Sequence, residues 1–285
     1  MPISPSSSAQ AAREAVAGRL RELRKAAGLT VAELADRCSW NRSKTSRIEN
    51  ALTAPSAKDI RLWCEATGSE TQAADLISQS MHAESMYSEW RHQVRSGLKQ
   101  LQENTGRLFQ QSKLFRVYSA SLVPGLLQTE GYAAGILHMS ANFQQLPVDD
   151  SAAAARARVE RSRIIHEPGR RFLFLVEEAV LSYQVADTDA MAAQLGFLLT
   201  AGALPTVSLG IIPDTTVERH QWPRETFHVY DDQLVSVELI SARVRITQPA
   251  EVGQYMKAFE QLRSMAVYGA DARSLIVKAI NALRR

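Results

Sequence analysis

The chain has 285 residues, of which 45% are hydrophobic and 22% are charged. This is ordinary globular composition, long enough for two domains. No run of about 18 apolar residues occurs, so no membrane-spanning helix is expected. The Ser/Pro-rich start is not a secretory signal. Two cysteines in no metal-binding spacing, Cys38 and Cys64, predict buried thiols in a cytoplasmic protein rather than a disulfide or redox pair.

The net charge of +3 is unevenly distributed along the chain. Residues 11–67 carry +4, and the rest of the chain carries −1. A basic segment joined to a neutral body indicates a module that faces a polyanion. Before it, residues 1–10 predict a disordered tail.

Residues 11–82 predict a bundle of five short helices. In the first, over 13–27, apolar residues are spaced four, three and four apart, and Gly28 ends the helix. Thr30 and Glu33 form a capping box that begins the second. The fourth and fifth helices follow Ser56 and Gly68.

The third helix divides into two faces. Asn41 is its predicted N-cap, and Thr45, Ile48 and Leu52 are spaced to face inward, with Lys44 on the flank. The side chains predicted to point away from the bundle are Arg42, Ser43, Ser46, Arg47 and Asn50. Such a cationic face is either a ligand-binding surface or merely a solvated one.

Two short helices joined by a tight turn form a helix-turn-helix, whose second helix enters the major groove of DNA. The stretch GRLRELRKAAGLTVAELADRCSWNRSKTSRIEN resembles the lambda/Cro-type (XRE) helix-turn-helix over residues 16–67. The resemblance implies base reading by Arg42, Ser43 and Arg47, phosphate or flanking contacts from Lys44 and Asn50, and a salt bridge between Arg24 and Glu49. Thr30 and Asn41, which begin the second and third helices, complete the predicted DNA-binding set.

Three positions depart from the usual form of that family. Val31 replaces a common glutamine, which removes a phosphate contact at the start of the second helix. Ser39 and Ala51 replace glycines, so an altered turn geometry is expected.

Residues 83–111 predict one long connecting helix. Its weak heptad has Tyr87, Val94, Leu101 and Leu108 seven residues apart, with Trp90, Leu98 and Thr105 near the complementary seam. Either this helix forms a dimeric coiled coil, or it packs on its own C-terminal domain. A homodimer through some surface is expected because helix-turn-helix proteins usually read two half-sites.

Residues 112–285 predict an α+β domain with a mixed or antiparallel sheet. Strand patterns occur in LFRVYS, RFLFLVE, TVSLGII, FHVYD, LVSVELI and RVRIT, separated by helical segments, and two helices close the chain. The overall fold class is therefore α+β, with an all-α head. The domain carries no catalytic, metal or cofactor motif, and Glu177 and Glu178 are interpreted as structural acids, so no enzyme is expected.

The body also resembles the WhiJ-like C-terminal domain. The resemblance rests on SASLVPGLLQTEGYAAGIL, the arginines Arg156, Arg158 and Arg161, FLFLVEEAVL, LGIIP and VSVELI. It implies a regulator of development or antibiotic production that has a small BldB-like partner protein.

The sequence thus predicts a transcriptional regulator whose C-terminal domain binds a partner protein or ligand. The alternative is an antitoxin-like protein that sequesters its neighbour and autoregulates its operon. The partner site is expected at exposed apolar residues of one turn, which is otherwise a buried corner: Val123, Pro124, Gly125, Leu126 and Leu127.

Overall fold

The computed structural model describes residues 7–89 and 97–283. They fall into two compact units. One runs through Ser88 and includes Ala242–Ile246, and the other contains the remaining residues. The predicted α+β class, with a helical N-terminal region, is confirmed.

The N-terminal unit is a helical bundle followed by a short strand. Its helices are α1 Ser7–Ala26, α2 Val31–Arg37, α3 Arg42–Glu49, α4 Ala57–Thr67 and α5 Ala73–Met86, with a 3-10 turn at Glu70–Gln72 and strand β1 at Tyr87–Glu89. Helix α1 begins inside the predicted tail, of which residues 1–6 lie outside the described part of the chain. Leu20, Leu34, Ile48, Ile60 and Trp63 are fully buried in the bundle core.

The predicted starts of α2, α3 and α4 are confirmed. The capping boxes of Thr30 with Glu33 and of Ser56 with Asp59 are both formed. The Asn41 side chain accepts a hydrogen bond of 2.8 Å from the backbone N–H of Lys44. These caps satisfy backbone donors that would otherwise lack partners at each helix start.

Both cysteines are buried free thiols, as predicted. Burial raises the pKa of the Cys38 thiol to about 11 and also raises that of Cys64. Because the thiolate is the reactive form, neither cysteine is poised for redox or nucleophilic chemistry at neutral pH.

The connecting helix predicted over 83–111 is interrupted. Helix α5 ends at Met86, and a separate helix, α6, spans Leu98–Gln111. Before α6, Gly97 has φ 91°. The Asp150 carboxylate caps α6 by accepting hydrogen bonds of 3.1 and 3.0 Å from the N–H groups of Leu98 and Lys99. The sequence near Gly97 could not predict this distant cap.

The apolar face of α6 is covered within its own unit. Leu98 and Leu101 are buried against small and apolar residues of two later helices, including Leu137 and Ala154. For Leu98 and Leu101, the alternative in which the helix packs on its own C-terminal domain is therefore correct. Trp90 and Val94 lie outside the described residues.

The C-terminal unit is built on a mixed sheet, so the mixed alternative is confirmed. Its strands are β2 Leu114–Ser119, β3 Arg171–Glu177, β4 Val207–Ile212, β5 Phe227–Tyr230 and β6 Leu234–Glu238, in the order β6-β5-β2-β3-β4. Strands β2, β3 and β4 are parallel, whereas β5 is antiparallel to both β2 and β6. Phe115 pairs with Phe172 and Tyr230 on its two neighbours, which places an aromatic row in the core.

Helices pack around this sheet. They are α7 Glu130–Phe143, α8 Ser151–Ser162, α9 Thr188–Ala201, α10 Pro249–Arg263 and α11 Gly269–Ala282, with 3-10 turns at Gly125–Leu127, Arg163–His166 and Glu178–Leu181. Among the described residues, no helix is long and apolar enough to cross a membrane.

One strand belongs to the N-terminal unit although it lies far along the chain. Strand β7, Ala242–Ile246, packs against α1 and α5. The predicted boundary at residue 112 assigns this strand to the C-terminal domain. The N-terminal unit is therefore not formed by one continuous segment.

Candidate nucleic-acid interface

Helix α3 presents its cationic side outward, as its spacing predicts. Thr45 and Ile48 are 0% and 1% exposed and face the core. The exposed positions are Asn41, Arg42, Ser43, Ser46, Arg47 and Asn50. Leu52, predicted to face inward, is half exposed because α3 ends at Glu49 and the chain turns away from helical spacing.

Helix α1 holds the C-terminal end of α3 through a buried ion pair. Arg24 Nε lies 2.5 Å from Glu49 Oε1, and its Nη2 lies 3.1 Å from Oε2. Arg24 also donates a hydrogen bond of 2.6 Å to the Leu29 carbonyl. Bidentate pairing leaves little freedom between the two helices. The salt bridge implied by the resemblance is therefore present, and neither residue is available to DNA.

Arg21 strengthens the same contact between α1 and α3, a role that was not predicted from the sequence. Its guanidinium donates to the Glu49 carbonyl and, over 3.1 Å, to Asn50 Oδ1. The Asn50 amide in turn donates to the Ser46 carbonyl over 2.8 Å. Since Arg21 precedes Arg24 by three residues, it shares a helix face with it. That spacing was a usable signal. Asn50, predicted as a DNA contact, is tied into the end of α3.

Lys44 is also engaged within the unit. Its Nζ lies 2.6 Å from Asp59 Oδ1 on α4 and 4.2 Å from the ring centroid of Trp40. Burial raises the pKa of the Asp59 carboxyl, but hydrogen bonds from Lys44 and Ser56 outweigh this and hold it below its ordinary value. Lys44 therefore ties α3 to α4, in addition to the phosphate role that the resemblance implies.

Thr30 lies at the exposed start of α2 as a cap. Its backbone N–H donates to Glu33 over 2.7 Å, and its hydroxyl accepts from the Glu33 N–H over 3.2 Å. The hydrogen bond from the Thr30 N–H, followed by an interaction with the Thr30 side chain, lowers the pKa of the Glu33 carboxyl. Thr30 is thus a structural residue at a surface position.

Both turns that flank α3 adopt left-handed backbone conformations without glycine. Ser39 has φ 56° and Ala51 has φ 53°. These are the two positions where the resembled family carries glycine, and a side chain there costs conformational energy. The glycine-type turn geometry is therefore kept despite the substitutions.

The turn predicted as an exposed partner site is buried. Val123, Leu126 and Leu127 are 2%, 4% and 0% exposed. The Val123 N–H donates to the Tyr132 hydroxyl, and Ser162 donates to the Gly125 carbonyl. Pro124 is buried as well. Of the two alternatives, the buried corner is the correct one, because α7 and α8 close over this turn.

The arginine motif of α8 faces a buried polar network. Arg158 donates to the side-chain oxygens of Gln102 and Gln128 over 3.2 and 2.7 Å. Arg161 donates to the carbonyl and side-chain oxygens of Gln102 over 2.7 and 3.0 Å and lies over the Phe109 ring. These arginines join α6 to α8, and Arg156 is exposed.

The acids at the end of β3 have separate partners. Glu177 accepts hydrogen bonds of 2.7 Å from Tyr118 and 2.6 Å from Arg219. Glu178 accepts from Lys278 and from the Asp214 N–H. They do not form a carboxylate pair that shares one site.

The comparisons define first a class and then a family. Residues 15–76 match the family described as Helix-turn-helix domain, so the N-terminal unit is a helix-turn-helix domain, which supports a DNA-binding regulator. The chain belongs to the family described as Domain of unknown function (DUF5753), which matches residues 103–278.

Other comparisons add little. No curated protein matches the chain. One similar solved structure is that of TrmBL2, an archaeal chromatin protein described as showing a novel mode of DNA binding. It is 13% identical and covers 88% of this chain and 99% of that chain, with a TM-score of 0.33. A likeness of this size supports no conclusion about the present chain.

Proposed function

We propose that the protein is a sequence-specific transcriptional regulator of the XRE type, which binds double-stranded DNA as a homodimer in the cytoplasm. The observation that carries the proposal is that the arginines of the N-terminal unit differ in burial. Arg24 is held in a buried ion pair, whereas Arg42 and Arg47 are both exposed on α3.

The chemistry of that surface fits base reading. An arginine guanidinium donates two parallel hydrogen bonds to O6 and N7 of guanine, which discriminates against other bases by about 1–3 kcal/mol. Arg42 and Ser43 occupy the first turn of α3, the part of a recognition helix that reaches base edges. Arg47 lies one turn beyond Ser43, on the same side of the helix as Ser43.

The charge distribution supports attraction to the phosphate backbone. The excess positive charge of the chain lies in residues 11–67. Cations that neutralise phosphates release counterions, so affinity falls as salt concentration rises. Lys44 contributes to this field, although its ion pair with Asp59 limits its reach.

We propose that the DUF5753 unit is a WhiJ-like effector domain that binds a small partner protein or ligand. Its support is architectural, since the unit has its own hydrophobic core. Co-purification of the full chain with a small protein encoded beside it, at a fixed stoichiometry, is the expected result. Repeated purification of the chain alone would count against a protein partner.

We also propose that this unit is not an enzyme. The partners of Glu177 and Glu178 support a structural role for both acids. A turnover screen on the full chain should find no activity that disappears in Glu177→Gln or Glu178→Gln variants that remain folded. Such a loss would contradict the proposal.

The DNA-binding proposal is tested by selecting duplexes from a random pool with the full chain. Gel-shift titrations of the selected duplex then compare wild type with Arg42→Ala and Arg47→Ala at several salt concentrations. Arg163→Ala is the matched control because it removes the same charge from an arginine that is 75% exposed in the other unit.

We expect the selection to enrich one sequence motif. Arg42→Ala and Arg47→Ala should each bind this motif more weakly and be less selective at one base pair. The control should bind as wild type does. No enrichment, or equal binding by all four proteins, would overturn the proposal.

A further inference from the structure

The turn that follows α3 folds back on Arg47. The Arg47 carbonyl accepts hydrogen bonds from the N–H groups of Leu52 and Thr53, over 2.9 and 3.2 Å. The Thr53 hydroxyl oxygen in turn accepts from Arg47 Nε over 3.1 Å. Arg47 and Thr53 are thus joined twice, through backbone and through side chain.

This double contact depends on the left-handed residue between them. Ala51 has φ 53°, and its N–H donates to the Ile48 carbonyl over 3.0 Å. That conformation reverses the chain and brings Thr53 back to Arg47. Thr53 is half buried, whereas Arg47 is exposed. The β-branched side chain of threonine has few rotamers, so its oxygen is held in place.

The contact decides which edge of the guanidinium is presented. With Nε engaged by Thr53, the two terminal nitrogens form the remaining fork. A planar fork held in one orientation suits bidentate recognition, because less conformational freedom is lost on binding. A freely rotating arginine would instead supply positive charge with weaker base preference.

We propose that Thr53 is a positioning residue, which orients Arg47 so that its terminal nitrogens read one guanine in the major groove. The inference rests on the proposed function and assigns a specificity role to a residue outside the recognition helix. Thr53 itself touches no base in this account. Its effect is transmitted through the Nε hydrogen bond.

The test uses the full-length protein and the duplex selected above. Four duplexes carry each base pair in turn at the position where Arg47→Ala relaxes selectivity. Binding constants are measured for wild type, Arg47→Ala, Thr53→Val and Thr53→Ser. Valine keeps the shape of threonine and lacks the acceptor, whereas serine keeps the hydroxyl. Thermal unfolding checks that each variant is folded.

Thr53→Val should reduce discrimination at that base pair by roughly two- to tenfold, the cost of ordering one long side chain. Preferences at other positions should remain, and Thr53→Ser should discriminate as wild type does. Discrimination by Thr53→Val equal to wild type, or equal weakening on all four duplexes, would overturn the inference.

Failure of the proposed function gives a different result. Wild type would then bind all four duplexes alike, or Arg47→Ala would relax no position, and the inference would fall with the proposal. A selective wild type that depends on Arg47 and not on Thr53 overturns the inference alone.

Discussion

Helices α3 and α8 are both short and arginine-rich, and they use arginine in opposite ways. In α3, Arg42 and Arg47 are exposed on the outer, cationic side of the helix. In α8, Arg158 and Arg161 turn inward to amide oxygens of Gln102 and Gln128. This difference is not predicted by the local sequences, which are SWNRSKTSRIEN and ARARVERSR.

The difference shows that cationic composition alone does not define a binding surface. A guanidinium becomes available to a ligand only when no neighbouring carbonyl, amide or carboxylate claims its donors. Arg24 makes the same point within the head, since it lies in the basic segment and is committed to Glu49. Inward arginines should therefore control stability, and the outward arginines of α3 should control DNA binding.

Breaking the Arg24–Glu49 pair should give the largest effect. Arg24→Ala leaves the buried Glu49 carboxylate without its bidentate partner, which costs about 3–5 kcal/mol of unfolding free energy. Arg42→Ala, an exposed change on the same unit, should stay within about 0.5 kcal/mol. Urea unfolding of the full chain measures both. The double variant Arg24→Met with Glu49→Leu should recover most of the loss. Equal stability of Arg24→Ala and Arg42→Ala would contradict this assignment.

Removing an inward arginine of α8 should have the next largest effect. Arg161→Met keeps the aliphatic stem and removes the hydrogen bonds that Arg161 donates to the carbonyl and side-chain oxygens of Gln102, which costs about 1–3 kcal/mol. Binding to the selected duplex should not change. Arg163→Met, the exposed control two residues away, should alter neither quantity. A loss of DNA affinity in folded Arg161→Met would break the comparison between the two helices.

Relieving the left-handed turn after α3 should stabilise the head. Ala51→Gly removes a side chain from a residue at φ 53°, and the expected gain is roughly 1 kcal/mol. Ala15→Gly is the matched control, because Ala15 is exposed in the middle of α1 and the same change there should cost about 1 kcal/mol. Thermal unfolding should move in opposite directions for the two variants. A loss of stability in both would argue that the turn is not strained.

The Lys44–Asp59 pair should contribute the smallest effect, since Lys44 is partly exposed and such pairs contribute about 1 kcal/mol or less. The pKa of Asp59 is lowered in the folded state. Its contribution is therefore present above the ordinary aspartate pKa of about 4 and is lost as pH falls through the folded value. Asp59→Asn should remove this acid-side slope in a pH series of unfolding free energies. An identical slope in the variant would show that the pair is not coupled to folding.

Local sequence patterns were sufficient to predict most of the N-terminal unit. The caps at Thr30, Asn41 and Ser56 and the alternation of buried and exposed residues on α3 follow from neighbours in sequence. Most strands of the C-terminal sheet were also identified, because continuous aromatic and aliphatic runs leave few alternatives. The Arg24–Glu49 pair came from family resemblance, not from spacing.

Most of the misses depend on contacts that are distant in sequence. Asp150 caps a separate helix that begins at Leu98, inside the predicted connecting helix. Tyr132 and Ser162 bury the turn at Val123 and Gly125. The Lys44–Asp59 pair likewise joins two helices across a turn. Hydrophobic periodicity does not encode such pairings.

In the proposed function, the outer side of α3 reads DNA. The most direct measurement replaces each guanine of the selected duplex with 7-deazaguanine, which lacks the N7 acceptor. Dissociation constants are then measured for wild type, Arg42→Ala and Arg47→Ala. One replacement should weaken DNA binding by wild type but not by one of the two arginine variants. The replacement and that variant remove the two partners of the same contact, so their effects should not add. If every replacement changed all three proteins equally, the assignment of α3 as the reading helix would be contradicted.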